Sequence, residues 1–198
     1  MVGTEGVELL SRAHTYLSEV VAAVPEQAWG ARTPCSEWTV RQVVNHARLD
    51  QQAYGAVVTG HGLPESDPFQ PADALHGDAE AELDAVLAGV REVYGGLAAD
   101  DTQVPTPLGP LPFRLAAAAA AMDAAVHAWD IAVATGQDAP LAEDVAEGIR
   151  PVATALVDRL RDAYGVFAPA REAAADEGPA AALLAFLGRD PHWTPAAP

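Results

Sequence analysis

Residues 111–136, LPFRLAAAAAAMDAAVHAWDIAVATG, decide how the chain is read. Pro112 suits a first helical turn, where its missing N–H is no loss, and Gly136 suits the left-handed position just past a helix end. The block between them is rich in Ala, the strongest helix former, and holds no internal breaker. The stretch predicts one long helix over about 111–135. Asp123 and His127 leave the same face of it, one turn apart, and Asp130 follows on nearly the same line. Leu115, Met122, Val126, Trp129 and Val133 form an apolar stripe beside that line, while Ala116, Ala120 and Ala134 leave room around it. A carboxylate and an imidazole on the core-facing side of a helix need a partner or a ligand.

On the N-terminal side, Thr4 is placed to cap a first helix over about 4–24, stopped by Pro25. Its seam runs Val7, Leu10, His14, Leu17, Val21, Val24, which puts His14 in the core, either as a hydrogen-bonded histidine or as a ligand. After the connector PEQAWGARTPCSEW, Thr39 and Gln42 have capping-box spacing, and Trp38 and Val43 can form the flanking hydrophobic staple. They open a second helix over about 39–58. Val40, Val43, Ala47, Tyr54 and Val58 make its apolar face, and His46, Asp50 and Val57 border it. Residues 59–77, TGHGLPESDPFQPADALHG, are Gly- and Pro-rich and long for a link between neighbouring helices, as a crossover along a bundle would be. His61 and His76 in this stretch are read as solvent-facing.

Asp78 caps a third helix over about 78–97, with Leu83, Val86, Leu87, Val90, Tyr94 and Leu97 inward. Beyond the central helix, a fifth spans about 141–164, with a kink or break expected at Pro151, and a short apolar one covers about 180–188. No strand–helix alternation and no convincing period-two run is present. The chain is expected to be all-α, a single domain over residues 1–198.

Composition narrows the function. Half of the 198 residues are apolar but only 6% are aromatic, a mix suited to close-packed helices. A net charge of −17 argues against nucleic acid or an anionic membrane as partner. A single Cys excludes an internal disulfide and fits a reducing compartment. With no signal-like N-terminus and no apolar run judged long enough to span a bilayer, a cytoplasmic protein is expected.

His46 on the second helix and Asp123 with His127 on the fourth supply two imidazoles and one carboxylate. Such a set, with a position left for water or substrate, suits catalytic zinc. With more open positions it suits ferrous iron. A buried Asp–His pair that only orients helix packing is the alternative. Asp130 and Asp50 are candidates to orient the imidazoles from behind, with Asp130 equally readable as a solvated carboxylate near a helix end. Cys35, close to the start of the second helix, is either a thiol of lowered pKa or a small buried residue. Arg189 either meets an anionic substrate or pins the closing segment by a salt bridge.

The segments TPCSEWTVRQVVNHA, MDAAVHAWDIAVATG and LLAFLGRDPHW together resemble the DinB superfamily, in particular the N-terminal domain of mycothiol-dependent maleylpyruvate isomerase. The resemblance implies a four-helix bundle with a long crossover between helices two and three, here with additional C-terminal helices. It implies a divalent metal, commonly Zn2+ with Ni2+ or Fe2+ as alternatives, held by His46, Asp123 and His127. The isomerase has Glu where this chain has Asp123, so the metal would sit nearer the fourth helix or be held more weakly. The isomerase also carries a C-terminal domain that contributes to its active site, for which this chain has no counterpart of adequate length. Isomerisation of maleylpyruvate is therefore not implied.

The function expected is that of a metal-dependent transferase or isomerase acting on a low-molecular-weight, mycothiol-like thiol and an electrophile. A non-catalytic metal-dependent binding or sensor module is the alternative, and a bundle merely stapled by metal is a third reading. Homodimer formation through exposed helix faces is compatible with each.

Overall fold

The protein is described by a computed structural model over residues 2–74, 77–97, 103–174 and 176–195. Among these it forms six α-helices: α1 (Val2–Ala22), α2 (Val40–Thr59), α3 (Ala79–Gly95), α4 (Phe113–Ala134), α5 (Glu143–Tyr164) and α6 (Pro179–Phe186). The all-α expectation holds, with one small addition. A two-residue strand, β1 (Gln103–Val104), pairs antiparallel with β2 (Leu111–Pro112) just before α4. Pro112 therefore caps α4 in an extended conformation instead of lying in its first turn. Thr4 likewise lies inside α1, which begins at Val2. His76 lies outside the described residues.

α4 is the hub. It packs most extensively on α1, then on α2 and α5. The predicted one-sided stripe is too narrow a description, because residues from Ala116 to Ala132 are buried all round except at Asp123. The alanines explain this. Each contributes little burial energy singly, about 0.8 kcal/mol per buried carbon, but their small volume lets neighbouring backbones close in. A Cβ built on Gly6 of α1 would stand only 3.4 Å from the Ala117 Cβ of α4. By length and composition α4 could cross a membrane, contrary to the sequence expectation; 89% of its apolar window is buried inside the bundle instead.

Leu10, Ala13, Leu17, Val20 and Val21 of α1, Val40, Val43 and Ala47 of α2, and Leu83, Leu87 and Val90 of α3 complete the core. The Thr39–Gln42 capping box is formed in full, and Asp78 caps α3 through Ala81 N–H at 3.1 Å. The crossover after α2 is strapped to that helix. Asn45 donates to the Ala72 and Ala74 carbonyls at 2.8 and 2.9 Å, and Arg41 pairs with Asp73 at 2.9 Å.

α5 is not broken at Arg150. It runs through Pro151 to Tyr164, and Pro151 and Glu147, whose carbonyl loses its partner there, both face solvent. Both α4 and α6 end in a Schellman motif. Gly136 has φ +70°, with Gln137 N–H bonded to the Ala132 carbonyl at 2.9 Å; Gly188 has φ +84°, with Arg189 N–H bonded to the Leu184 carbonyl at 2.9 Å. The second of these turns the chain back toward α4.

Candidate metal centre

α2 and α4 bring His46, Asp123 and His127 together. One ligand atom from each lies within 4.8 Å of the other two. The Nε2 atoms of His46 and His127 both face Asp123 Oδ1, at 3.4 and 3.5 Å. These separations are long for hydrogen bonds. They match the edge of a tetrahedron around a cation, about 3.3 Å for bonds of about 2.0 Å.

The far side of each ring is occupied. His46 Nδ1 lies 2.8 Å from the Pro68 carbonyl, and His127 Nδ1 lies 3.0 Å from Asp130 Oδ2. Both partners only accept, so in the neutral ring each Nδ1 carries the proton and each Nε2 has its lone pair free for the centre. This is the arrangement metal-ligating histidines require. Asp123 is fixed too: its Oδ2 accepts from Gln51 Nε2 at 2.9 Å.

Burial disfavours a charged His46, but the adjacent Asp123 carboxylate outweighs burial and raises the His46 pKa. For Asp123, burial pushes the carboxyl up, while the adjacent His46 and His127 imidazoles and the Gln51 hydrogen bond hold it below its ordinary value. His127 is lowered, by burial first and by the charge of His46, against the pull of Asp130. His46 and Asp123 thus favour positive charge between them. All three side chains keep slight solvent exposure, 7% for His46, 9% for His127 and 11% for Asp123, so the centre is reachable.

Asp130 stands behind His127, as the sequence spacing suggests. Asp50 does not stand behind His46, a position filled by the Pro68 carbonyl. Instead it lies against Asp123, where burial and then the Asp123 charge push its carboxyl up to about 7. His14 is fully buried and points at Gln51, with Nε2 2.8 Å from Oε1, and it is not among the converging ligands.

Cys35 lies on the other side of His127. Its thiol donates to Asp130 Oδ2 at 3.2 Å and accepts from Arg189 Nη2 at 3.3 Å. Burial and the Asp130 charge push its pKa up, the reverse of an activated thiol. Arg189 forms the pinning salt bridge, 2.9 Å from Asp130 Oδ2. Cys35, His127 and Asp130 also have converging donor atoms, but the Arg189 guanidinium already supplies the positive charge there.

Sequence reading missed four neighbours of the centre. Gln51 falls between Ala47 and Tyr54 on the apolar face of α2, a polar residue out of pattern and so a readable signal. Pro68 and Phe69 come from the crossover, Phe69 with its ring 6.1 Å from that of His46 and 56% exposed. Trp38, expected to staple the start of α2, is partly buried and lies 4.6 Å from the His46 ring and 6.4 Å from that of His127.

Comparison with known proteins bears on the family and the fold. Residues 10–132 match the family model described as the mycothiol maleylpyruvate isomerase N-terminal domain. An uncharacterised protein of Mycobacterium tuberculosis (Rv0738 in strain ATCC 25618 / H37Rv, MT0763 in strain CDC 1551 / Oshkosh) is 30% identical over 182 residues, spanning 90% of this chain and 94% of the relative. The crystal structure of mycothiol-dependent maleylpyruvate isomerase aligns with a TM-score of 0.58 at 17% identity, and that of a mutant of it with 0.60 at 16%. Each alignment covers 78% of this chain and 69% of the isomerase chain, and this likeness supports the DinB-like helical fold. By the extent of the family match, the chain belongs to the mycothiol maleylpyruvate isomerase N-terminal domain family.

Proposed function

We propose that this protein binds a divalent cation, Zn2+ in the first instance, through His46 Nε2, Asp123 Oδ1 and His127 Nε2, and acts on a low-molecular-weight thiol of the mycothiol type. The observation that carries the reading is the convergence of two imidazole lone pairs on one carboxylate oxygen, with both opposite nitrogens tied to acceptors. When bound, a divalent cation with a vacant position lowers the pKa of a coordinated thiol, so that it ionises near neutral pH.

The chain's own residues do the rest. Pro68 and Asp130 hold the two rings in the tautomer that presents Nε2. Trp38 and Phe69 flank His46 at the rim of the centre, their ring centroids 4.6 and 6.1 Å from its own. The thiol surrenders its proton, its sulfur bonds to one carbon of an electrophilic double bond, the π pair shifts to the far end of that bond, and the proton returns there, so addition needs no further reagent. In an isomerisation the same C–S bond breaks again and the thiol is released. Cys35 takes no part as a nucleophile, because its thiol is held protonated against Asp130.

Turnover tests the reading. Conjugation of mycothiol with a panel of electrophiles should be lost on chelation, return when Zn2+ is added back, and vanish in His127→Ala. Metal binding with no conjugation across the panel would instead favour a binding or sensor module.

A further inference from the structure

The polar chain behind Asp123 has one consistent hydrogen-bond assignment. Gln51 is fully buried, and its Nε2 lies 2.9 Å from both the Ala120 carbonyl and Asp123 Oδ2. Both of those partners accept, so the amide nitrogen faces them and donates both of its hydrogens. The Gln51 Oε1 must then be the acceptor for His14 Nε2–H at 2.8 Å. His14, also fully buried, keeps its Nδ1 as the unprotonated nitrogen, which has no hydrogen-bond partner among the described residues. Three helices are thereby keyed together: His14 of α1, Gln51 of α2, and Asp123 with Ala120 of α4.

The consequence falls on the carboxylate. With Oδ2 committed to Gln51, only Oδ1 faces the two histidine nitrogens. A free Asp carboxylate beside a cation can rotate and supply both oxygens, which would fill the position a thiol needs. We propose that Gln51, held in place by His14, is a positioning residue that keeps Asp123 a one-oxygen ligand and so keeps a coordination position open. This deepens the metal-centre reading above and rests on it. It also accounts for how a short Asp serves here: the amide on α2 anchors the oxygen that does not face the centre.

Co2+ titration of the apoprotein, followed by visible absorption, tests this without relying on turnover. In the wild type, Co2+ should give the intense visible bands of a four-coordinate site, and added mycothiol should produce a sulfur-to-cobalt charge-transfer band. Gln51→Met keeps the side-chain length and removes the amide. It should weaken Co2+ binding about tenfold, the low end for loss of such a supporting contact, and shift the spectrum to the weaker bands of higher coordination. The charge-transfer band on thiol addition should be reduced in parallel.

His14→Leu, which frees the amide without touching Asp123, should move both readouts the same way by a smaller factor. His14→Gln, which retains a donor, should restore them. His14→Leu also stands in for Gln51→Met should that variant fail to fold, as judged by circular dichroism. A folded Gln51→Met or His14→Leu variant with wild-type Co2+ affinity and spectrum would overturn the proposal while leaving the metal centre intact. A wild-type protein that takes up no Co2+ would overturn both.

Discussion

The Asp130 carboxylate and the Arg189 guanidinium form a buried ion pair, 2.9 Å between Oδ2 and Nη2, that ties the segment after α6 to the back of His127. The same Oδ2 also takes hydrogen bonds from His127 Nδ1 and the Cys35 thiol. Burial pushes the Asp130 carboxyl up, but the Arg189 charge and the His127 hydrogen bond outweigh burial and hold it far below its ordinary value. The closing segment is thus part of what orients a candidate ligand.

Removing Arg189 should therefore be costly. Arg189→Leu leaves a fully buried carboxylate without its charge partner, a loss of about 3–5 kcal/mol in unfolding free energy. Urea denaturation reads this directly. A change below about 1 kcal/mol, the range of an exposed pair, would show that the pair is not buried in solution.

His14 should make stability depend on pH in a defined window. Burial, opposed by the Gln51 hydrogen bond, lowers its pKa from 6.5 to about 4. Between those values the unfolded chain binds the proton and the folded one does not. Stability from this group is full above about pH 6.5, declines as pH falls, and levels off below about pH 4, a total of roughly 3 kcal/mol. The difference between wild type and His14→Leu, measured by denaturant unfolding across that range, should carry this slope. A difference independent of pH would mean that His14 is protonated in the fold or exposed.

The two Schellman glycines should respond unequally to substitution. Both have positive φ, so Ala at either incurs backbone strain of about 1–2 kcal/mol. At Gly136 a Cβ meets nothing within 4 Å, whereas at Gly188 it would lie 2.7 Å from the Ala168 carbonyl oxygen. Gly188→Ala should lower the melting temperature clearly more than Gly136→Ala, and should weaken metal binding as well, because it displaces Arg189. Equal effects at the two sites would contradict the close approach.

Much of this was legible because it is local. The capping box at Thr39–Gln42, the Asp78 cap, the positive-φ Gly136 and the spacing of Asp123, His127 and Asp130 all follow from residues within a turn or two of one another. What the sequence hid is long-range. Arg189 reaches Asp130 across 59 positions, and His14 reaches Gln51 across 37. Asp50, one turn after His46, invited a supporting role that the Pro68 carbonyl fills, because the fold of the crossover cannot be read from spacing. The Ala-rich centre of α4 concealed its surroundings for a related reason. Alanine fits against any neighbour, so the pattern marked one buried face where the fold buries nearly all of them.

The central claim is a single cation shared by α2 and α4, and metal content measures it most directly. Elemental analysis of protein purified without chelator should find about one divalent metal per chain, as one three-residue centre requires. It should find almost none in His46→Ala, Asp123→Ala or His127→Ala, each checked to be folded by circular dichroism. Metal absent from the wild type even after incubation with Zn2+, or retained undiminished in all three variants, would contradict the account.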